Sequence, residues 1–164
     1  VFTWQINKSK MADYIIATTE LEYSAAGSLF KEYAGWLNID LSFQHFDEEI
    51  LALKTMYSSP NGAIILCNTE NKYIACVAVR KIDEQIAELK RMFVRKDYQR
   101  QGIGKVLLNN VIGLAKSYGY NYIRLDTLSY MTPAINLYKQ NGFYEIEPYY
   151  HNPNQTAVYF ERKI

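Results

Sequence analysis

Between Gly102 and Tyr118, the residues Ile103, Leu107, Val111, Leu114, Ala115 and Tyr118 recur at spacings of three and four. That is the period of a helix with one buried face. Gly119 follows directly and suits the left-handed position that ends a helix. Glu88 to Val94 precedes this helix and Tyr122 to Leu128 follows it, both apolar and of strand length, with the polar loop Arg95 to Gln101 leading in. A strand–loop–helix–strand unit needs a sheet for its helix to cover, so the chain is expected to be α/β.

The rest of the sequence supplies that sheet. Tyr14 to Ala17 reads as a first strand, and a helix is expected from about Leu21 to Trp36 with Ala25, Leu29, Tyr33 and Trp36 on one face. A second helix is expected over Asp47 to Met56. Pro60-Asn61-Gly62 breaks the chain before Ala63 to Cys67, the turn Asn68 to Lys72, and Tyr73 to Val79, which resemble an antiparallel hairpin. A strand from Ile86 to Val94 follows the charged turn Lys81 to Glu84.

Beyond the crossover, Thr132-Pro133 offers an N-cap and a proline at the first helical position. They open a short helix that runs to Gln140 and stops at Asn141-Gly142. Phe143 to Ile146 and Ala157 to Arg162 complete the count as a closing hairpin. The expectation is one domain, 11–164, built on a mixed, mostly antiparallel sheet of about seven strands. Val1 to Lys10 precede Met11-Ala12-Asp13 and are set aside as an upstream segment.

Composition narrows the partners. Lys and Arg number 18 against 17 Asp and Glu, so a net charge of +1 gives no field suited to nucleic acid or an anionic membrane. No apolar run reaches the roughly 20 residues of a membrane span, and no leader pattern opens the chain, so a cytoplasmic location is the default expectation. Cys67 and Cys76 each sit in an apolar strand-like run without metal-binding spacing. Two buried reduced thiols and no metal site are expected.

The loop entering the long helix, Gln99-Arg100-Gln101-Gly102-Ile103-Gly104-Lys105, has the makings of an anion cradle. The first turn of a helix carries unpaired N–H groups and partial positive charge, and glycine lets a phosphate approach the backbone. Arg100 and Lys105 add formal charge. A P-loop is excluded, because Val106 follows Gly104-Lys105 and no glycine stands five residues before Gly104. A dinucleotide fingerprint would need a small residue where Leu107 stands, although Asp126 lies near the place of a ribose-binding acid.

The third pattern, Q/R-x-x-G-x-G/A, resembles the pyrophosphate-binding motif of the GNAT superfamily of N-acetyltransferases. Two further segments carry the same resemblance. Ala134-Ile135-Asn136-Leu137-Tyr138-Lys139-Gln140-Asn141-Gly142-Phe143 is similar to the superfamily's A-x-x-L-Y-x-x-x-G-F, and Glu88-Leu89-Lys90-Arg91-Met92-Phe93-Val94 resembles its central strand. Together they span Glu88 to Phe143.

The resemblance implies helices on both faces of the sheet and a cleft where two parallel strands splay apart. It implies acetyl-CoA as co-substrate, held by Met92, Phe93 and Val94 of the central strand and by Gln99, Arg100, Gln101, Gly102, Ile103, Gly104 and Lys105 of the cradle. Tyr138 takes the place of a general acid that protonates the departing thiolate. Glu88, fourteen positions before Gly102, takes the place of the general base in histone-type members.

Many members carry Asn where this chain has Met131, which replaces an amide contact by apolar packing. The aromatic-rich segments Trp36 to Phe46 and Tyr149 to Asn152 are expected at the cleft mouth, with His45 and His151 as surface histidines that could relay protons.

Direct acetyl transfer to a primary amine is the expected activity. A small-molecule amine is expected ahead of a protein acceptor, since a near-neutral chain does not favour a strongly cationic one, and homodimers are frequent in the superfamily. A non-catalytic acyl-CoA-binding regulatory module and a nucleotide-dependent oxidoreductase stand as the other readings.

Overall fold

Strand formation begins at Asp13 and continues to Lys163 in a computed structural model that describes residues 12–164. The expected upstream segment lies outside these residues. Seven strands form one sheet in the order β1-β2-β3-β4-β5-β7-β6. They are β1 Asp13–Ile16, β2 Ala63–Thr69, β3 Lys72–Lys81, β4 Ile86–Val94, β5 Tyr122–Leu128, β6 Tyr144–Ile146 and β7 Ala157–Lys163. Every neighbouring pair is antiparallel except β4 and β5.

Strand alternation divides the core. Ile65, Val77, Val79 and Leu89 point to one face, under α4 (Ile103–Ser117) and α5 (Thr132–Gln140). Ile64, Leu66, Cys76 and Ala78 point to the other, where α1 (Glu20–Leu37) and α3 (Leu53–Met56) cover them. Helices therefore lie on both faces, and both cysteines are buried free thiols.

Local chemistry explains the helix ends. Thr19 and Glu22 form a reciprocal capping box at the start of α1, each side chain accepting from the other's N–H. Gly119, at φ 92°, donates to Lys116 O, and Tyr120 donates to Ala115 O, the paired bonds of a Schellman end.

Three expectations need correction. The second helix is two short ones, α2 (Phe46–Leu51) and α3, separated at Ala52, whose φ of −123° is not helical. Thr132 is the first residue of α5 and not its cap. Helical bonding already begins with Ile135 N–H to Met131 O, so Met131 stands at the cap without a side-chain bond. Phe143 lies outside β6 because its N–H is drawn back to Tyr138 O at 3.1 Å. The final hairpin forms, but β7 lies inside it, against β5, and leaves β6 at the sheet edge.

Candidate active site

The parallel strands β4 and β5 pair through three residue pairs, Ile86 with Tyr122, Ala87 with Ile123 and Glu88 with Arg124, and no further. From Leu89 onward the β5-facing edge of β4 has no partner strand. A bulge sharpens the divergence: Cys76 pairs with Phe93 and Ala78 with Lys90, so β4 carries one residue more than β3 across that interval. Arg91 lies within it at φ 57°, a conformation disfavoured for a side chain with a Cβ.

The Arg91 side chain is held firmly. Its Nε and NH2 reach the two oxygens of Glu49 at 3.1 and 2.6 Å, NH1 donates to Gln44 Oε1 at 2.9 Å, and the guanidinium lies 5.1 Å from the Phe46 ring centroid. Glu49 also accepts from Tyr57 Oη at 2.6 Å. Burial works to raise the Glu49 carboxyl, but Arg91's hydrogen bonds and charge, helped by Lys90 and Tyr57, outweigh it and hold the group below its ordinary value.

Where the strands part, a cleft opens, lined by Leu89, Lys90 and Met92 from β4 and by Asp126, Thr127 and Leu128 from β5. Met131 and Tyr138 of the α5 region close one side. Met131 Sδ accepts from Thr127 Oγ1 at 3.5 Å. Tyr138 is 5% exposed and wedged against Phe143 and Phe160, at ring-centroid distances of 5.7 and 6.4 Å. Burial, with the neighbouring Tyr33 and Asp126, pushes its phenol well above the ordinary tyrosine range, so it carries its proton at every physiological pH.

Of the three β4 residues singled out from sequence, Met92 faces this cleft. Phe93 turns to the opposite face, against Tyr33 and Trp36 at 6.0 and 6.5 Å. Val94 packs into the α4-side core, and its carbonyl accepts from Gln99 Nε2 at 3.0 Å, which ties the loop to the strand end.

The loop itself leads into α4 through Arg100 at φ 61° and Gly102 at φ 82°. Gly102 is the N-cap and supplies no side-chain bond, and the first-turn helical bond runs from Val106 N–H to Gly102 O. The N–H groups of Ile103, Gly104 and Lys105 thus find no acceptor among the described residues. The first turn of α4 contains no acidic residue. Gln101 donates to Asp97 O, while the Ile103 side chain is core and contributes packing. A Cβ on Gly104 would come within 3.7 Å of Leu137, the neighbour of Tyr138, which places the helix start beside α5. These features fit an anionic diphosphate: bare donors, a left-handed glycine and no competing carboxylate.

Glu88 lies outside the cleft, in an adjoining depression of about 590 Å³ shared with Lys90, Arg80, Tyr149, Tyr150 and Gln44. Its side chain is 4% exposed. Oε1 accepts from Arg80 Nε and NH2, both at 2.9 Å, and Oε2 accepts from Tyr149 Oη at 2.8 Å. Asp126 Oδ2 accepts from Tyr150 Oη at 2.9 Å, and burial raises this carboxyl above its usual range. Lys90 lines both spaces. His45 and His151 are exposed, His45 lying 3.9 Å from Glu48.

Sequence reasoning missed Lys90, Arg80, Asp126 and Tyr149 as a group. Alternation on β4 and β5 was the available signal, since Glu88 and Lys90 flank Leu89, and Arg124 and Asp126 flank Leu125, at a spacing of two.

The sequence pattern of the acetyltransferase (GNAT) family matches residues 28–143. The chain belongs to that family. An uncharacterized N-acetyltransferase of Schizosaccharomyces pombe is 35% identical to this GNAT acetyltransferase over 138 residues, covering 83% of this chain and 85% of that one. Another from Dictyostelium discoideum is 33% identical over 193 residues, covering 80% and 89%. In three dimensions, a GNAT family acetyltransferase from Elizabethkingia anophelis with acetyl-CoA bound shares the fold, at a TM-score of 0.65 and 22% identity over 93% of this chain and 98% of that one. The protein is thus an acyltransferase, and the reading as a non-catalytic module falls away. Among the described residues no helix is long and apolar enough to cross a membrane.

Proposed function

We propose that this GNAT acetyltransferase takes its acetyl group from acetyl-CoA and passes it directly to a primary amine of a small molecule. The parting of β4 from β5 beyond Glu88 carries the reading. It leaves a gap with main-chain groups on one wall and Tyr138 on another, and the uncapped start of α4 stands beside α5.

In this reading the α4 N–H groups, with Arg100 and Lys105, hold the diphosphate. The unpartnered edge of β4 at Met92 holds the thioester arm and directs an N–H at the carbonyl oxygen. Glu88, directly or through a water, takes one proton from the amine. The amine nitrogen then bonds to the carbonyl carbon as the carbon–sulfur bond breaks, and Tyr138 donates its proton to the departing thiolate. The acylated nitrogen returns its second proton to the Tyr138 phenolate and Glu88 releases the first to solvent, so the products are the amide, the free thiol and one proton, with no covalent enzyme intermediate.

Thermal melts with acetyl-CoA and with NAD, followed by thiol release across a panel of primary amines, test the proposal. A ligand that binds the folded state raises the melting temperature. Acetyl-CoA should raise it, NAD should not, and thiol release should depend on added amine. A melting temperature indifferent to acetyl-CoA would refute the donor assignment.

A further inference from the structure

Among the described residues Lys90 Nζ makes no hydrogen bond, only a loose ion pair with Glu88. Its side chain is 6% exposed, and its nearest carboxylate oxygen, Glu88 Oε1, is 3.7 Å away, beyond hydrogen-bond distance. No hydrogen bond to Lys90 Nζ exists among the described residues, although the group borders both the cleft and the depression. The Nζ tip therefore keeps its donors open toward these spaces, while the stem is buried.

The surrounding carboxylates are committed elsewhere. Glu88 is held by Arg80 and Tyr149, and Glu49 by Arg91 and Tyr57. Gln44 Oε1 is taken by Arg91, and its amide donates to Tyr150 Oη at 3.1 Å. Asp126, on the opposite wall, spends one oxygen on Tyr150; its Oδ1 has no hydrogen-bonding partner among the described residues, and it lies beyond ion-pair distance of Lys90. The cleft thus offers a loosely paired cation from β4 and an open carboxylate oxygen from β5. Burial, with the Arg91 charge, lowers the Lys90 ammonium to about 8, against the Glu88 charge that raises it.

From this arrangement we infer that the acetyl acceptor is an amino acid-like molecule whose carboxylate is bound by Lys90 and whose amine is presented from the Asp126 side. The inference rests on the acetyl-transfer reading above and adds the substrate class. A polyamine brings no carboxylate to occupy the open donors of Lys90.

The test compares matched acceptors in the thiol-release assay with the wild-type protein: phenylalanine against phenethylamine, and lysine against cadaverine, with spermidine as the cationic control. A hydrogen-bonded charge pair contributes roughly 1.5–3 kcal/mol, so kcat/KM should favour the carboxylate-bearing member by about tenfold or more. Lys90→Met should reduce that preference by a similar factor, mainly through KM, and Lys90→Arg should restore part of it. Equal or better use of the decarboxylated amines or spermidine, an unchanged preference in Lys90→Met, or acetylation of neither class overturns the inference. The acetyl-CoA melting shift is read in parallel. Its absence sinks the donor assignment, whereas its presence with the wrong acceptor preference sinks only the carboxylate inference.

Discussion

Arg91 and Glu49 form a two-pronged ion pair, at 3.1 and 2.6 Å, with both side chains at most 4% exposed. The pair couples the bulge of β4 to the short helix α2, 42 residues earlier, and holds Arg91 in its left-handed backbone conformation. Removing one partner strands the other, so Glu49→Ala should lower unfolding free energy by about 3–5 kcal/mol in urea titration. The Glu49 carboxyl is depressed in the folded state, so its contribution is present above the ordinary glutamate value of 4.5 and fades as pH falls below it. The gap between wild type and Glu49→Gln should therefore narrow in that acidic range.

For Tyr138, replacement by Phe should cut turnover by about 10²-fold at neutral pH while acetyl-CoA affinity, measured by calorimetry, changes little. The phenol's raised titration keeps the acid form available throughout the assay range. Turnover equal to wild type would remove the acid role.

Replacing Glu88 by Gln should also cost about 10²-fold at pH 7. An amine acceptor with pKa near 10.4 sheds its own proton at high pH, so the defect should shrink as pH approaches about 10. A defect constant with pH would instead indicate that Glu88 only positions Arg80 and Tyr149.

At Lys90 stability rises with pH in the same sense as at Glu49, but through relief of a penalty and not gain of a contribution. The folded-state value of about 8 lies below the ordinary 10.5, so the unfolded chain binds the extra proton between them and burial destabilises the fold below pH 8. Arg91 and Arg80 add to this cost, while Glu88 and Glu49 offset part of it. Lys90→Met should stabilise the protein at pH 7 by up to about 3 kcal/mol. That advantage should diminish as pH rises from 8 toward 10.5.

Much of the fold was legible because its elements are local. The period of α4 and the limits of β5 follow from residue spacing alone, and Gly119 ends the helix as its flexibility predicts. The break at Ala52 carries no glycine or proline, and Thr132 yielded its cap position to Met131 because helical bonding started one residue earlier. The cradle was readable as a contiguous motif. The charged cluster was not: Glu88 meets Tyr149 across 61 positions, and Arg91 meets Glu49 across 42. Those pairings follow from sheet order and from a bulge whose position spacing does not reveal.

The short weld at Ile86–Glu88 makes the sheet two rafts, β1 to β4 and β5 with β7 and β6, fused along only three rungs. A molecule laid in the gap supplies the missing rungs. In the proposed function the donor's arm takes the place of a strand, so those β4 amide protons that face the gap should exchange more slowly when acetyl-CoA is added.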